Sequence, residues 1–154
     1  MSAPVAFVNA RLIDPASGLD SQGGLYSQDG KILDLGSELD ARNAPDGAEI
    51  IDCGGLVLAP GLIDARAYLG EPGAEHKETM ASGSQAAAAG GIATIAAMAS
   101  TEPPIDEVAL VEFVARRARE TAIVNVVPTA CVTRGRRGQE ITEMGMLAEA
   151  GAVA

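Results

Sequence analysis

The chain has 154 residues, 47% hydrophobic and 21% charged, enough for one ordinary globular domain with a sizeable core. A formal net charge of −10 excludes a nucleic-acid or anionic-membrane surface, because phosphate binding needs clustered Lys and Arg. Two cysteines, Cys53 and Cys131, make neither a disulfide framework nor a CxxC pair, so a reduced, cytoplasmic protein is expected.

Val5 to Ile13 alternate loosely around Phe7 and Leu12 and stop at Asp14-Pro15, which predicts a strand. Asp29-Gly30 stands between two strand-like runs, Leu25 to Gln28 and Lys31 to Leu35. That is a hairpin signal, since both turn residues tolerate positive φ. Glu49 to Asp52 and Leu56 to Leu58 read as two more short strands around Gly54-Gly55. Residues 1–59 are therefore expected to be an all-β segment, packed as a small sandwich or half-sandwich.

From Pro60 the character changes to alternating strand and helix. Leu62-Ile63 lies between Pro60-Gly61 and Glu71-Pro72-Gly73, the mark of a buried strand between two turns. Lys77 to Ala89 is Ala-rich and predicts a helix closed by Gly90 at the C′ position. Ile92 to Met98 is a compact uncharged strand. Asp106 is the expected N-cap of a helix that buries Val108, Val111, Ala115 and Ala118. Ile123 to Val127 predicts a further strand and Thr142 to Ala150 a helix, with Ala152-Val153-Ala154 as the opening of a fourth strand. The uncharged run Ala81 to Thr101 is broken by Ser82, Ser84, Gln85 and Gly90-Gly91, so no membrane span is expected, and Met1 to Val5 lack the pattern of a secretory signal.

This alternation is the sign of βα units on a parallel sheet. The fold class read from it is α/β: residues 60–154 as the first units of a TIM-type (β/α)8 barrel, preceded by the β segment. A complete barrel needs about 250 residues, so the remainder of the barrel is itself an expected partner of this segment. A self-contained small α/β domain with a β extension is the other reading of the same pattern.

The order Pro60-Gly-Leu-Ile-Asp64, Glu71-Pro-Gly73, Lys77-Glu-Thr79, Ala86-Ala-Ala-Ala-Gly-Gly91 and the segment Met98 to Asp106 resembles the dihydroorotase branch of the amidohydrolase superfamily. Thr142 to Val153 resembles the helix leading to that family's fourth strand. The resemblance implies a TIM-type barrel beside a β-sandwich built from both chain ends. The family opens or closes the cyclic ring of dihydroorotate with a metal-bound hydroxide and a proton-shuttling carboxylate.

The family's first strand ends Asp-x-His-x-His, and both histidines hold the catalytic zinc ions. Here the frame reads Asp64-Ala65-Arg66-Ala67-Tyr68. Arginine offers no lone pair and carries a permanent positive charge. Tyrosine ligates only as phenolate, with an unperturbed pKa near ~10. The family's arginine for the substrate carboxylate is Gly70, and the asparagine of its Met-Pro-Asn-Thr segment is Ser100. Arg66, Tyr68, Gly70 and Ser100 thus mark a degenerate site, with no catalytic residue, metal or other cofactor expected. The Arg66 guanidinium is expected to replace the charge of the lost cation and to pair with a carboxylate at the barrel mouth.

Other candidates carry less. His76, the only histidine, lies between Glu75 and Lys77 and reads as a solvated loop residue. Cys53 and Cys131 have no visible histidine partner and read as small core or strand residues. Asp64 is expected to serve strand-end hydrogen bonding. The basic run Arg134-Gly135-Arg136-Arg137-Gly138 reads as a solvated loop, with a grip on a phosphate or an acidic partner as its functional alternative.

Two functional readings follow from the resemblance. One is a non-catalytic dihydroorotase homologue that supports the assembly of aspartate carbamoyltransferase, a partner that non-catalytic members of the family have as a class. The other is an active cyclic amidohydrolase with a rebuilt metal site whose ligands lie beyond Ala154. A piece without an independent role is the third and blandest. The replaced ligands favour the first.

Overall fold

The computed structural model describes residues 2–153. The chain divides into two compact units, Met1–Pro60 and Gly61–Ala154.

In the first unit, β1 (Val5–Asp14), β2 (Leu19–Gln28), β3 (Lys31–Gly36), β4 (Glu49–Asp52) and β5 (Val57–Leu58) form a single mixed sheet. β1, β2 and β3 make an antiparallel meander, with Asp29-Gly30 at the expected hairpin and both residues at positive φ. The two short strands around Gly54-Gly55 do not pair with each other. Both run parallel to β1, opposite Val5–Val8 and Arg11–Leu12. The glycine turn is a step along one strand's edge, held by Cys53 N–H to the Val8 carbonyl (2.9 Å) and Gly55 N–H to that of Asn9 (2.7 Å). The alternation of β1 buries Ala6, Val8, Ala10 and Leu12. Buried Tyr26 donates its hydroxyl to the Asp40 carbonyl at 2.5 Å, with Asn43 Oδ1 also in contact, and burial raises its pKa above the usual phenol value.

β2 is longer than the sequence pattern suggests, because Leu19 to Gly24 lack apolar alternation. Pairing supplies what pattern does not: Arg11 binds Asp20 at 2.6 Å across the two strands. Gly23 is required by close approach, since a Cβ there would lie 2.2 Å from the Gly36 carbonyl oxygen.

The second unit runs β6 (Leu62–Ala67), α1 (Met80–Ala89), β7 (Ile92–Ala97), α2 (Val108–Thr121), β8 (Asn125–Pro128) and α3 (Met144–Glu149). β6, β7 and β8 are parallel and adjacent in chain order. The sheet contributes Ile95 and Ala97 to a core with Met80 and Ala87 of α1, Val111, Val114 and Ala118 of α2, and Leu147 of α3. Helix spacing in α2 thus places Val114 rather than Ala115 at the centre.

Helix boundaries differ from expectation at α1 and α2 for local reasons, and α3 is shorter than the expected Thr142 to Ala150. α1 starts at Met80 because Thr79 caps it: its hydroxyl accepts the Ser82 N–H at 3.1 Å, and the Ser82 hydroxyl accepts the Thr79 N–H at 3.2 Å. Gly90 is the C-cap, and Gly91 takes the left-handed conformation with φ +76°. Glu107 rather than Asp106 precedes α2, because the Asp106 carboxylate is drawn away to accept the Gly135 N–H at 2.6 Å. Ala152 and Val153 form no strand, although the Val153 N–H reaches the Pro128 carbonyl at 3.0 Å, and Ala154 lies outside the described residues. No described helix is long and apolar enough to cross a membrane.

Along the sheet of this unit, burial separates residues that look alike in sequence. Ile95 is 1% exposed and Ile63 is 70% exposed. Ile95→Ala is expected to cost about 2–5 kcal/mol in chemical denaturation, whereas Ile63→Ala leaves stability within about 0.5 kcal/mol of the parent.

Candidate functional site

The carboxyl end of β6 carries three of the four positions singled out by sequence. Between Asp64↔Ile95 and Ala67↔Ala97, β6 uses one more residue than β7, so the strand bulges across Ala65 and Arg66. The Asp64 carboxylate accepts the Arg66 N–H at 2.9 Å, the strand-end role expected of it. Pairing resumes at Ala67, whose carbonyl accepts the Met98 N–H at 2.9 Å.

Arg66 and Tyr68 are both exposed. The guanidinium of Arg66 forms no ion pair among the described residues, where the ion pairs are Arg11–Asp20, Arg42–Asp40, Arg117–Glu71 and Arg134–Glu140. The carboxylate partner expected for Arg66 is therefore not found among the described residues. The nearest acid in sequence, Asp64, is already turned to the Arg66 backbone. Ser100 is half-buried in the segment after β7, at the same end of the sheet, and its hydroxyl has no partner among the described residues.

Gly70 is the most constrained of the four. It is buried, sits at φ +70°, and a Cβ would fall 2.3 Å from the Glu78 carbonyl oxygen and 2.8 Å from that of Ala74. The Ala74 N–H closes on the Gly70 carbonyl at 2.7 Å. A side chain at this position meets backbone on two sides, in a conformation that L-residues adopt at a cost of about 1–2 kcal/mol.

The next residue holds this loop in place. Glu71 has a side chain only 4% exposed. Its Oε1 accepts from Arg117 Nε of α2 at 3.1 Å, and its Oε2 accepts the Met80 N–H at 2.7 Å, at the first residue of α1. A carboxylate is suited there, because a helix start presents unpaired N–H groups and a positive dipole end. Gly73 then packs against the loop after β7: a Cβ would lie 1.9 Å from the Glu102 carbonyl oxygen, and the Glu102 N–H donates to the Pro72 carbonyl at 3.1 Å. Beyond it, the Glu75 carboxyl is held below the usual range by the Gly73 N–H. These contacts are not visible in sequence. The acidic residue before Pro72 is the only local signal, and its partner lies 46 residues away.

The remaining candidates are placed as structure rather than chemistry. His76 is exposed in a turn. Cys131 is buried, with Sγ 3.4 Å from the Ala99 carbonyl, and burial pushes its thiol above the ordinary value. Cys53 is half-buried in the first unit. Among the described residues no three His, Cys, Asp or Glu side chains come together in a way that could hold a metal ion. With arginine and tyrosine at the strand end, the donor set does not fit a zinc centre.

Comparison with known proteins decides the family. Residues 55–154 match the family described as Dihydro-orotase-like. The chain belongs to that family. It is 46% identical to a dihydroorotase of Pelobacter propionicus over 146 residues, which is 95% of this chain and 34% of that protein. A dihydroorotase of Wolbachia sp. subsp. Brugia malayi is 45% identical, over 97% of this chain and 33% of its own length. The chain thus spans about a third of the length of the curated relatives it matches.

Among solved structures, an L-hydantoinase (dihydropyrimidinase) of Arthrobacter aurescens superposes with a TM-score of 0.80 at 23% identity, over 96% of this chain and 31% of its own. A D-hydantoinase superposes with a TM-score of 0.69 at 27% identity, over 95% of this chain and 29% of its own. The three parallel strands and their helices are the first βα units of the TIM-type barrel of this amidohydrolase fold, preceded by a β-sheet segment.

Gly70→Ala is expected to destabilise the chain by about 2 kcal/mol or more, and Gly70→Arg by more than Gly70→Ala, in urea titrations. Glu71→Ala removes both charge-assisted contacts of the loop and is expected to cost about 3 kcal/mol. The same titrations check it, with the exposed Glu112→Ala as the near-neutral comparison.

Proposed function

We propose that this protein is a non-catalytic member of the dihydroorotase-like family, acting in the cytoplasm to support the assembly of aspartate carbamoyltransferase. The observation that carries the reading is the end of β6. There the family's metal histidines are replaced by Arg66 and Tyr68, and the position of its substrate arginine is a glycine packed against two backbone carbonyls. Restoring the arginine requires rebuilding the Gly70–Glu78 loop. The loss is therefore built into the fold of the loop and does not stop at four side chains.

The frame around the lost groups is kept. Asp64, Glu71, Gly73 and Thr79 all make structural contacts that hold the strand end, its loop and α1 in place. A segment that keeps its scaffold while its ligands are replaced fits a role in assembly, and pyrimidine biosynthesis is the setting the family supplies. The partner is the one with which non-catalytic homologues of this family associate as a class.

Metal analysis and assay of the purified protein test the catalytic half of the proposal. Substoichiometric zinc and no chelator-sensitive turnover of dihydroorotate are expected. Stoichiometric zinc with turnover that chelation abolishes would overturn it. The assembly half is tested by sedimentation of a mixture with the cognate aspartate carbamoyltransferase, where a co-sedimenting complex is expected.

A further inference from the structure

Asp-Gly stands at two places in the chain, Asp29-Gly30 and Asp46-Gly47, both in the first unit. We propose that Asp46 is a site of spontaneous covalent modification, converting to isoaspartate through a cyclic imide with Gly47, and that Ser2 shields Asp29 from the same reaction. The modification is independent of the assembly role proposed above.

In such a pair the backbone nitrogen of the glycine attacks Cγ of the aspartic acid. A C–N bond forms, the C–OH bond breaks, and the hydroxyl leaves as water with the amide proton. Water then opens the five-membered imide at either carbonyl. Opening at the α-carbonyl leaves the main chain running through Cβ and Cγ, one carbon longer, with the α-carboxyl as a side group. Glycine favours the attack because it has no Cβ to obstruct it. An ionised carboxylate has no hydroxyl to lose, so hydrogen bonds that hold it ionised slow the step.

The two pairs are alike in exposure and in the conformation of their glycines. All four residues are exposed, with Gly30 at φ +73° and Gly47 at φ +75°. They differ in what holds the aspartate. Asp29 Oδ1 accepts the Ser2 N–H at 2.8 Å and the Ser2 hydroxyl at 2.9 Å, and the Asp29 N–H donates to Ser2 Oγ at 3.3 Å. The Ser2 N–H, and its hydroxyl after it, keep the Asp29 carboxyl below the usual carboxylate range. The pair is also the turn of the β2–β3 hairpin, with Gln28 and Lys31 paired directly outside it. The Asp46 carboxylate, by contrast, accepts no hydrogen bond and joins no ion pair among the described residues. The Gly47 N–H has no acceptor among them. One bond closes its turn, the Ala48 N–H on the Pro45 carbonyl at 3.0 Å, so a small local opening frees the nitrogen to reach Cγ.

The position gives the change a structural consequence. Ala44 and Ala48, on either side of Asp46, pack against the cluster of Ala6, Val8 and Tyr26. Glu49 opens β4 directly afterwards, and its N–H reaches the Pro4 carbonyl at 2.9 Å. An added backbone carbon between the two alanines displaces one of them from the cluster or shifts the entry into β4. Conversion at Asp46 therefore loosens the sheet unit.

Ageing the purified protein at physiological temperature in mildly acidic buffer tests both halves, with peptide mapping against synthetic aspartyl and isoaspartyl standards. Isoaspartate is expected to accumulate at 46 roughly tenfold or more faster than at 29. Ser2→Pro, which lacks both the amide hydrogen and the hydroxyl, should raise the rate at 29 severalfold towards that at 46. Asp46→Glu, whose side chain would have to close a slower six-membered imide, should keep its melting temperature through ageing while that of the parent falls. If no isoaspartate forms at 46 while a free peptide of residues 44–48 converts, the assignment of Asp46 fails. Equal rates at 29 and 46 in the parent, or a rate at 29 that Ser2→Pro does not move, would overturn the shielding. An unchanged melting temperature in a converted sample would overturn the loosening of the sheet unit.

Discussion

The buried carboxylate of Glu71 is the contact on which the geometry of the barrel unit turns. It joins three pieces that are far apart in sequence: the loop leaving β6, the first N–H of α1, and Arg117 near the end of α2. A carboxylate taken out of water is costly unless it is paired and hydrogen-bonded. Here one oxygen meets a guanidinium and the other a helix start, so the cost is offset on both sides. The consequence is a loop whose path is fixed at Glu71, closed tightly at Gly70 and wedged at Gly73 against the segment after β7.

That fixed path also sets what the end of β6 presents. In βα barrels the carboxyl ends of strands carry the reactive groups, and the rest of each unit positions them. The positioning apparatus here is complete: a bulge that re-aims the end of β6, an Asp64 that ties it, and a capped α1 behind it. What it presents is an arginine and a tyrosine, neither suited to a divalent metal at neutral pH. The close packing of Gly70 extends the change from side chains to backbone.

Exposed apolar side chains on the barrel unit include residues of β6 and of the segment that leads into α3. Leu62 and Ile63 are exposed on β6, an edge strand of a three-stranded parallel sheet. Val132, Ile141, Met144 and Met146 are exposed between β8 and α3 and on α3 itself, close in sequence to Arg136 at φ +58°.

By itself the sequence determined the class and order of the elements, because hydrophobic periodicity, Asp29-Gly30 and the alternation after Pro60 are local signals set by backbone sterics and side-chain burial. It also singled out Arg66, Tyr68 and Gly70 by the spacing of a motif, and the structure sets all three at or just beyond the carboxyl end of β6. Tertiary structure alone decided which strands pair, as with β4 and β5 lying along β1, because parallel pairing is made by residues distant in the chain. It alone decided that Asp106 serves Gly135 rather than capping α2, and that Arg66 has no ion-pair partner among the described residues. Only there, too, did Glu71 emerge as the fastening and Gly70 as a packed position. Whether a carboxylate is buried, or a glycine is touched by carbonyls, depends on atoms brought together by folding, and no local pattern encodes their distance.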